Sequence, residues 1–420
     1  MQQDRPEARM LFSPQRLLVI AACLLSLVTQ LHAQATSREE EIRQQRTDKR
    51  ARLWPERTSG LINKFDNFTD TGFLDGARSK KGKNGIQFVL GGMRSGNGTT
   101  FGVGYRRVDL WDEKVAFRAT ARATPRGAYM FDLDLDFSRL ANQRRGELRV
   151  YARYENSPQM DYYGPGQDSR QEDRTSYRLE DASIDLQGRY RVWKALWLGF
   201  TGGFYLPNTG PGKREGFPST EEKFTPDQTP GIDQQPNFLR TGFTVQYDYR
   251  DLPTGPRAGG NYYLHFRRYW DQGLGRHTFN SWDTAVEQYF PYWNKTRVVA
   301  LRLAMVATQA GEGQTVPFYL EPTLGGNDFL RGFERYRFYD QSSLLLTAEH
   351  RWHLFSAGHA AIFAEAGKVA PKATQLNLAK AKYSAGIGFR FTLRDAVVMR
   401  LDNAISNEGY RFMWTFSNMW

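Results

Sequence analysis

The chain has 420 residues, 40% hydrophobic, 14% aromatic and 24% charged, with 39 Gly, 18 Pro and a formal net charge of +12. This composition supports a large core and excludes collagen-like, coiled-coil and disordered chains. The single cysteine, Cys23, excludes a disulfide framework and a Cys-based zinc site.

Residues 1–35 read as an export signal. Arg5, Arg9 and Arg16 precede the apolar stretch Leu17 to Val28, and Ala33-Gln34-Ala35 gives a small-x-small cleavage pattern before Thr36. An exported basic chain is not expected to meet nucleic acid; its charge fits a basic lumen, or loops facing anionic lipid head groups. Residues 36–85 form a polar segment. Within it SREEEIRQQRTDKRARL, Ser37 to Leu53, reads as one charged helix with Ser37 as N-cap and Pro55 beyond its end. At ~1.5 Å per residue that helix is about 25 Å long. It is read as a periplasmic tail, with a place inside a barrel lumen as the alternative.

No run of 18 apolar residues follows Thr36, which excludes helical spans. From Ile86 the apolar period is two. Phe131, Leu133, Leu135 and Phe137 alternate with Asp132, Asp134 and Asp136; Leu301, Leu303 and Met305 alternate with Arg302 and Ala304. Such strands have one greasy and one wet face. Sixteen segments of this kind start near residues 86, 99, 114, 127, 145, 175, 195, 238, 257, 276, 295, 341, 359, 382, 396 and 409. Brief links, near 110–113, 191–194, 251–256, 291–294 and 394–395, fall on one parity, and the long ones, near 156–174, 205–237, 310–340 and 369–381, on the other. Short turns on one side and long loops on the other predict an all-β fold, a 16-stranded antiparallel transmembrane β-barrel over 86–420. At the C-terminus Tyr410, Phe412, Trp414 and Phe416 share one face and the chain stops at Trp420. This pattern resembles the targeting signal of outer-membrane barrels, which implies the barrel assembly machinery as a partner during insertion and outer-membrane lipid around the wall.

Gly325-Gly326-Asn327-Asp328-Phe329-Leu330-Arg331-Gly332-Phe333, followed by RYRFYDQSSLLLTAEHRWHLF, resembles the long sixth loop and next strand of the BamA/TamA assembly and two-partner secretion superfamily, the bacterial surface antigen barrels. Phe363-Ala364-Glu365-Ala366-Gly367 falls on that family's Phe-x-Asp-x-Gly position, with Glu in place of Asp. Tyr247 to Asp251 with the following PTGPRAGGNYY, and Tyr162-Tyr163-Gly164-Pro165-Gly166, are similar too. Parity puts Glu349 and Arg351 inward on one strand, and Phe363 and Glu365 inward on the next. The resemblance implies that Arg331 pairs with these acids and holds the loop inside the barrel. A guanidinium fork suits paired carboxylates better than an ammonium. Gly332 is expected to permit a tight backbone and Phe333 to pack beside it.

The resemblance also implies periplasmic POTRA repeats of about 75 residues each. Residues 36–85 are too few and too polar for one, so a separate periplasmic receptor or client protein is the expected partner. The expected function is outer-membrane protein assembly or translocation; the alternatives are a pore or surface-exposed binding barrel and a lipid-facing hydrolase. No GxSxG, Walker, HExxH or EF-hand pattern occurs, so neither an enzyme nor a cofactor or metal site is expected.

Overall fold

A computed structural model describes residues 84–415 except 95, 138–144, 294, 356–357 and 394–395. The export signal, the charged helix at 37–53, Phe416 and Trp420 lie outside the described residues. Strands in chain order are β1 (Gly85–Leu90), β2 (Phe101–Asp109), β3 (Val115–Ala123), β4 (Tyr129–Asp136), β5 (Gly146–Tyr162) and β6 (Thr175–Trp193). Then come β7 (Leu196–Pro211), β8 (Phe238–Asp248), β9 (Gly259–Asp271), β10 (Phe279–Tyr292), β11 (Arg297–Ala310) and the two short strands β12 (Thr323–Leu324) and β13 (Phe338–Tyr339). The last five are β14 (Ser342–Phe355), β15 (Gly358–Ala370), β16 (Lys382–Leu393), β17 (Ala396–Ser406) and β18 (Gly409–Thr415).

All but β12 and β13 form one 16-stranded sheet in sequence order. Every pairing within it is antiparallel, so the all-β barrel fold expected from the alternation is the one observed. The wall has the predicted two faces. On β11, Leu301 is 42% exposed while its neighbour Arg302 is 8% exposed, as expected where one face meets lipid and the other the lumen. The lumenal face is ionic: Arg122 pairs with Asp132 at 3.0 Å, Arg149 with Asp134 at 2.5 Å and Arg240 with Asp185. Much of the chain's basic charge is thus matched inside the wall.

The short links carry exposed Trp111, Trp193 and Trp293. Trp111, Asp112, Lys194 and Trp293 adopt positive φ there, the left-handed backbone that suits tight hairpins. On the other parity the long connections pack on one another. Tyr162 and Tyr177 meet Phe318 of the 311–341 loop edge to face, with centroids 5.2 and 4.9 Å apart. Such ring pairs add about 0.5–1.5 kcal/mol each beyond their buried area.

Closure by hydrogen bonds, expected from the even strand count, is not found between the sheet's two ends. Among the described residues no ladder joins β1 to β18. β1 has six residues, bounded by Gly85 (φ 126) and Gly91 (φ 74). Backbone turning away at both ends limits the length of any ladder it can form.

Candidate functional site: the inward loop and its ionic seat

The connection between β11 and β14 is a hairpin. β12 and β13 pair at its base, Thr323 opposite Tyr339 and Leu324 opposite Phe338. Between them, residues 325–337 turn into the lumen. Leu330 and Phe333 are fully buried with Leu324, Phe338, Leu345 and Val369, and Phe333 lies edge to face on Phe338 at 5.3 Å. This apolar packing places the tip of the loop, and Arg331 between the two anchors, against the wall.

Arg331 is buried and makes a forked contact with two strands. Its Nε donates to Glu365 Oε1 of β15 at 2.9 Å and its Nη1 to Glu349 Oε2 of β14 at 3.0 Å. The Arg331 backbone N–H donates to Glu365 Oε2 at 2.6 Å, and Ser384 Oγ of β16 donates to the same oxygen at 3.0 Å. The guanidinium also covers the Phe363 ring at 3.4 Å, a cation–π contact that gains strength away from water. Glu365 therefore reaches the loop despite standing where the resembled motif has Asp.

The residue in left-handed backbone is Leu330, at φ 63, while Gly332 serves close approach. A Cβ on Gly332 would lie 2.6 Å from Ser384 Cβ and 2.9 Å from Ser406 Cβ, because the loop backbone touches β16 and β17 there. Ser406 Oγ donates to the Gly332 carbonyl at 2.7 Å. Gly367 plays the matching part on β15, where a Cβ would meet Leu330 Cδ2 at 3.0 Å. Gly332→Ala is expected to destabilise the docked loop by about 1–3 kcal/mol through overpacking. The readout is faster cleavage of residues 325–337 by protease in the folded, membrane-inserted protein.

Three members of the seat were not singled out from the sequence. Asp402 on β17 takes Arg390 Nη1 at 2.5 Å and lies 3.6 Å from Arg331 Nη1. Arg390 on β16 also reaches Glu349 at 3.1 Å, and Arg351 Nε donates to the other Glu349 oxygen at 2.8 Å. Arg400 on β17 binds the loop directly, donating to the Asn327 carbonyl and to Asp328 Oδ1, both at 2.7 Å. Their inward parity is readable in GFRF and MRLD, but alternation says nothing about which inward groups face a returning loop. Further out, Arg337 of the loop reaches Glu408 at 2.8 Å, and Arg411 of β18 reaches Glu334 at 2.6 Å. The loop is thereby tied to the last five strands of the sheet and to the turn between the final two.

At the outer base of the loop the Glu321 carboxyl is pushed up to about 8 by burial, reinforced by the charge of Asp340. Its ordinary value is 4.5. The sign follows from linkage: protonated Glu321 is favoured in the packed loop. The packed loop therefore has its full stability below pH ~4.5 and loses it as pH rises through ~8. Loop cleavage by protease is expected to rise between pH 5 and 9, and Glu321→Gln to flatten that dependence.

On β18, Tyr410, Phe412 and Trp414 are 67%, 58% and 48% exposed on the outward face. His350 on β14 stacks its ring on Tyr292 at 5.7 Å, and the two are hydrogen-bonded.

An ionic loop seat inside an antiparallel barrel wall is what the family comparison bears on. Residues 232–419, which include the loop and the residues that seat Arg331, match the Omp85 superfamily domain. The chain carries an Omp85 superfamily domain. With that domain match, the protein is one of the outer membrane of a two-membrane bacterium. Among solved structures, BamA from Haemophilus ducreyi lacking POTRA domains 1-3 aligns over 80% of this chain and 71% of its own, at 15% identity and a TM-score of 0.57. That likeness is one of fold. CdiB from Escherichia coli aligns at 11% identity and TM-score 0.49, covering 81% of this chain and 62% of its own. CdiB from Acinetobacter baumannii aligns at 9% identity and TM-score 0.46, covering 76% and 54%. No curated protein matches the chain.

Proposed function

We propose that this Omp85 barrel assembles or translocates proteins at the outer membrane, with a separate periplasmic protein as receptor or client. The observation that carries the reading is the seating of Arg331 between Glu349 and Glu365, which holds a long loop inside the lumen. A barrel serving only as an open pore has no use for that obstruction. A buried guanidinium shared by two strands instead fixes the loop relative to the C-terminal wall, where the sheet ends. Taking charges out of water is expensive unless they are well paired, so this arrangement favours one loop position over its neighbours.

Depletion of the protein, followed by a census of outer-membrane proteins, tests the reading. The expected result is selective loss of one or more barrels or exported proteins while lipid content stays constant. Planar-bilayer recording of the purified protein is expected to give low, flickering conductance. A large steady conductance with an unchanged census would replace this reading by that of a pore or surface-exposed binding barrel.

A further inference from the structure

A second loop enters the lumen on the far side of the wall. The connection from β1 to β2 has no periodic signal in its sequence, GGMRSGNGTT, yet Asn97 and Thr100 are buried. Its partners lie on β5 and β6. The Arg94 backbone N–H donates to Glu155 Oε1 at 2.8 Å, and its guanidinium pairs with Asp181. Asn97 Nδ2 donates to Ser157 Oγ at 2.8 Å. Two more arginines hold the loop backbone: Arg122 Nη1 donates to the Gly92 carbonyl at 3.2 Å, and Arg126 Nη1 to the Gly96 carbonyl at 3.0 Å.

The chemistry of this contact follows from the register. Glu155 and Asp181 stand directly opposite each other on neighbouring strands, and both are buried. Like charges in that position repel unless cations lie between them. Arg153 supplies one, at 3.4 Å from Glu155 and 3.2 Å from Asp181. Arg94 supplies the other, and it arrives from a loop four residues after the end of β1. This repeats the logic of Arg331: two inward acids on adjacent strands are completed by a guanidinium on a loop that must enter the barrel to reach them.

We propose that Arg94 is the positioning residue of the first strand. By clamping the following loop to β5 and β6, it fixes the outer end of β1, the shortest strand of the large sheet at six residues. A strand of that length has few ladder bonds of its own, and its order depends on what holds its ends. At the other end, Asn84 Oδ1 accepts from the Val108 N–H at 2.9 Å. β1 is thereby tethered at both ends, with the ionic tether at the outer one. The inference rests on the proposed function only for what the first strand is used for, namely the edge at which a client could pair.

Hydrogen exchange of the full mature chain in lipid nanodiscs tests the clamp. In Arg94→Gln, peptides covering β1 are expected to exchange about tenfold faster or more, with β14–β16 unchanged. Arg94→Lys, which keeps the charge and loses the fork, is expected to restore part of the protection. Because Arg94→Gln leaves two acids facing one guanidinium and could fail to fold, Arg94→Gln combined with Asp181→Asn, which leaves Glu155 paired with Arg153, serves as the neutral control. It should show the same faster exchange at β1. Wild-type exchange at β1 in the neutral variant would overturn the proposal, as would equal acceleration at β14–β16. A client-insertion assay on the same variants separates the two claims. Faster β1 exchange with an unchanged insertion rate supports the clamp and counts against the assembly reading.

Discussion

Arg331→Ala is expected to lower the stability of the barrel by about 3–5 kcal/mol, the usual consequence of stranding buried charges after one partner is removed. Glu349 and Glu365 would each lose a hydrogen bond of 2.9–3.0 Å from the guanidinium. Phe363 would lose the cation lying on its ring. The strand pattern and the aromatic face of β18 are untouched, so insertion into the membrane should still occur. The effect should appear as a lower temperature of heat-modified migration on gels and faster proteolysis of the loop. Unchanged migration together with unchanged function would sink the idea that this pairing holds the loop. Arg331→Lys should fall between, because one ammonium cannot address both carboxylates in a fixed plane.

Glu349→Ala should do at least as much damage, again about 3–5 kcal/mol. Three guanidiniums converge on its carboxylate: Arg351 at 2.8 Å, Arg331 at 3.0 Å and Arg390 at 3.1 Å. Without it Arg331 keeps Glu365, Arg390 keeps Asp402, and Arg351 loses its 2.8 Å contact. Combining Arg331→Met with Glu349→Leu should cost less than the two separate losses added together, since the pair is then removed as a unit. Urea titration of the refolded protein in lipid measures both. Strict additivity would mean that the two residues do not act on each other.

Much of the fold is legible in the sequence because a barrel wall obeys a local rule. Leu301 and Arg302, or Phe131 and Asp132, declare their faces without knowledge of any distant residue, and each strand pairs with its neighbour in the chain. The same parity marks Glu349 and Glu365 as inward. What alternation cannot convey is the course of the loops. Asp402 and Arg400 are inward by pattern, yet their involvement with Asn327 and Asp328 depends on how deeply the hairpin descends. At Gly332 the constraint comes from Ser384 and Ser406 on the opposing wall, which its neighbours in the chain do not disclose. The descent of the Arg94 loop has no counterpart in any short pattern, since its partners lie some 60–90 residues away.

The seat of Arg331 also implies an order of events during biogenesis. The loop is synthesised before β15, β16, β17 and β18, yet its ionic and backbone partners lie on those later strands as well as on β14. Neighbouring hairpins can zip up early, because their contacts are local. The guanidinium has no completed harbour until the C-terminal wall stands behind it. Docking of this hairpin is therefore a late step in maturation, and chains truncated within the final two strands should accumulate with the loop still open to protease.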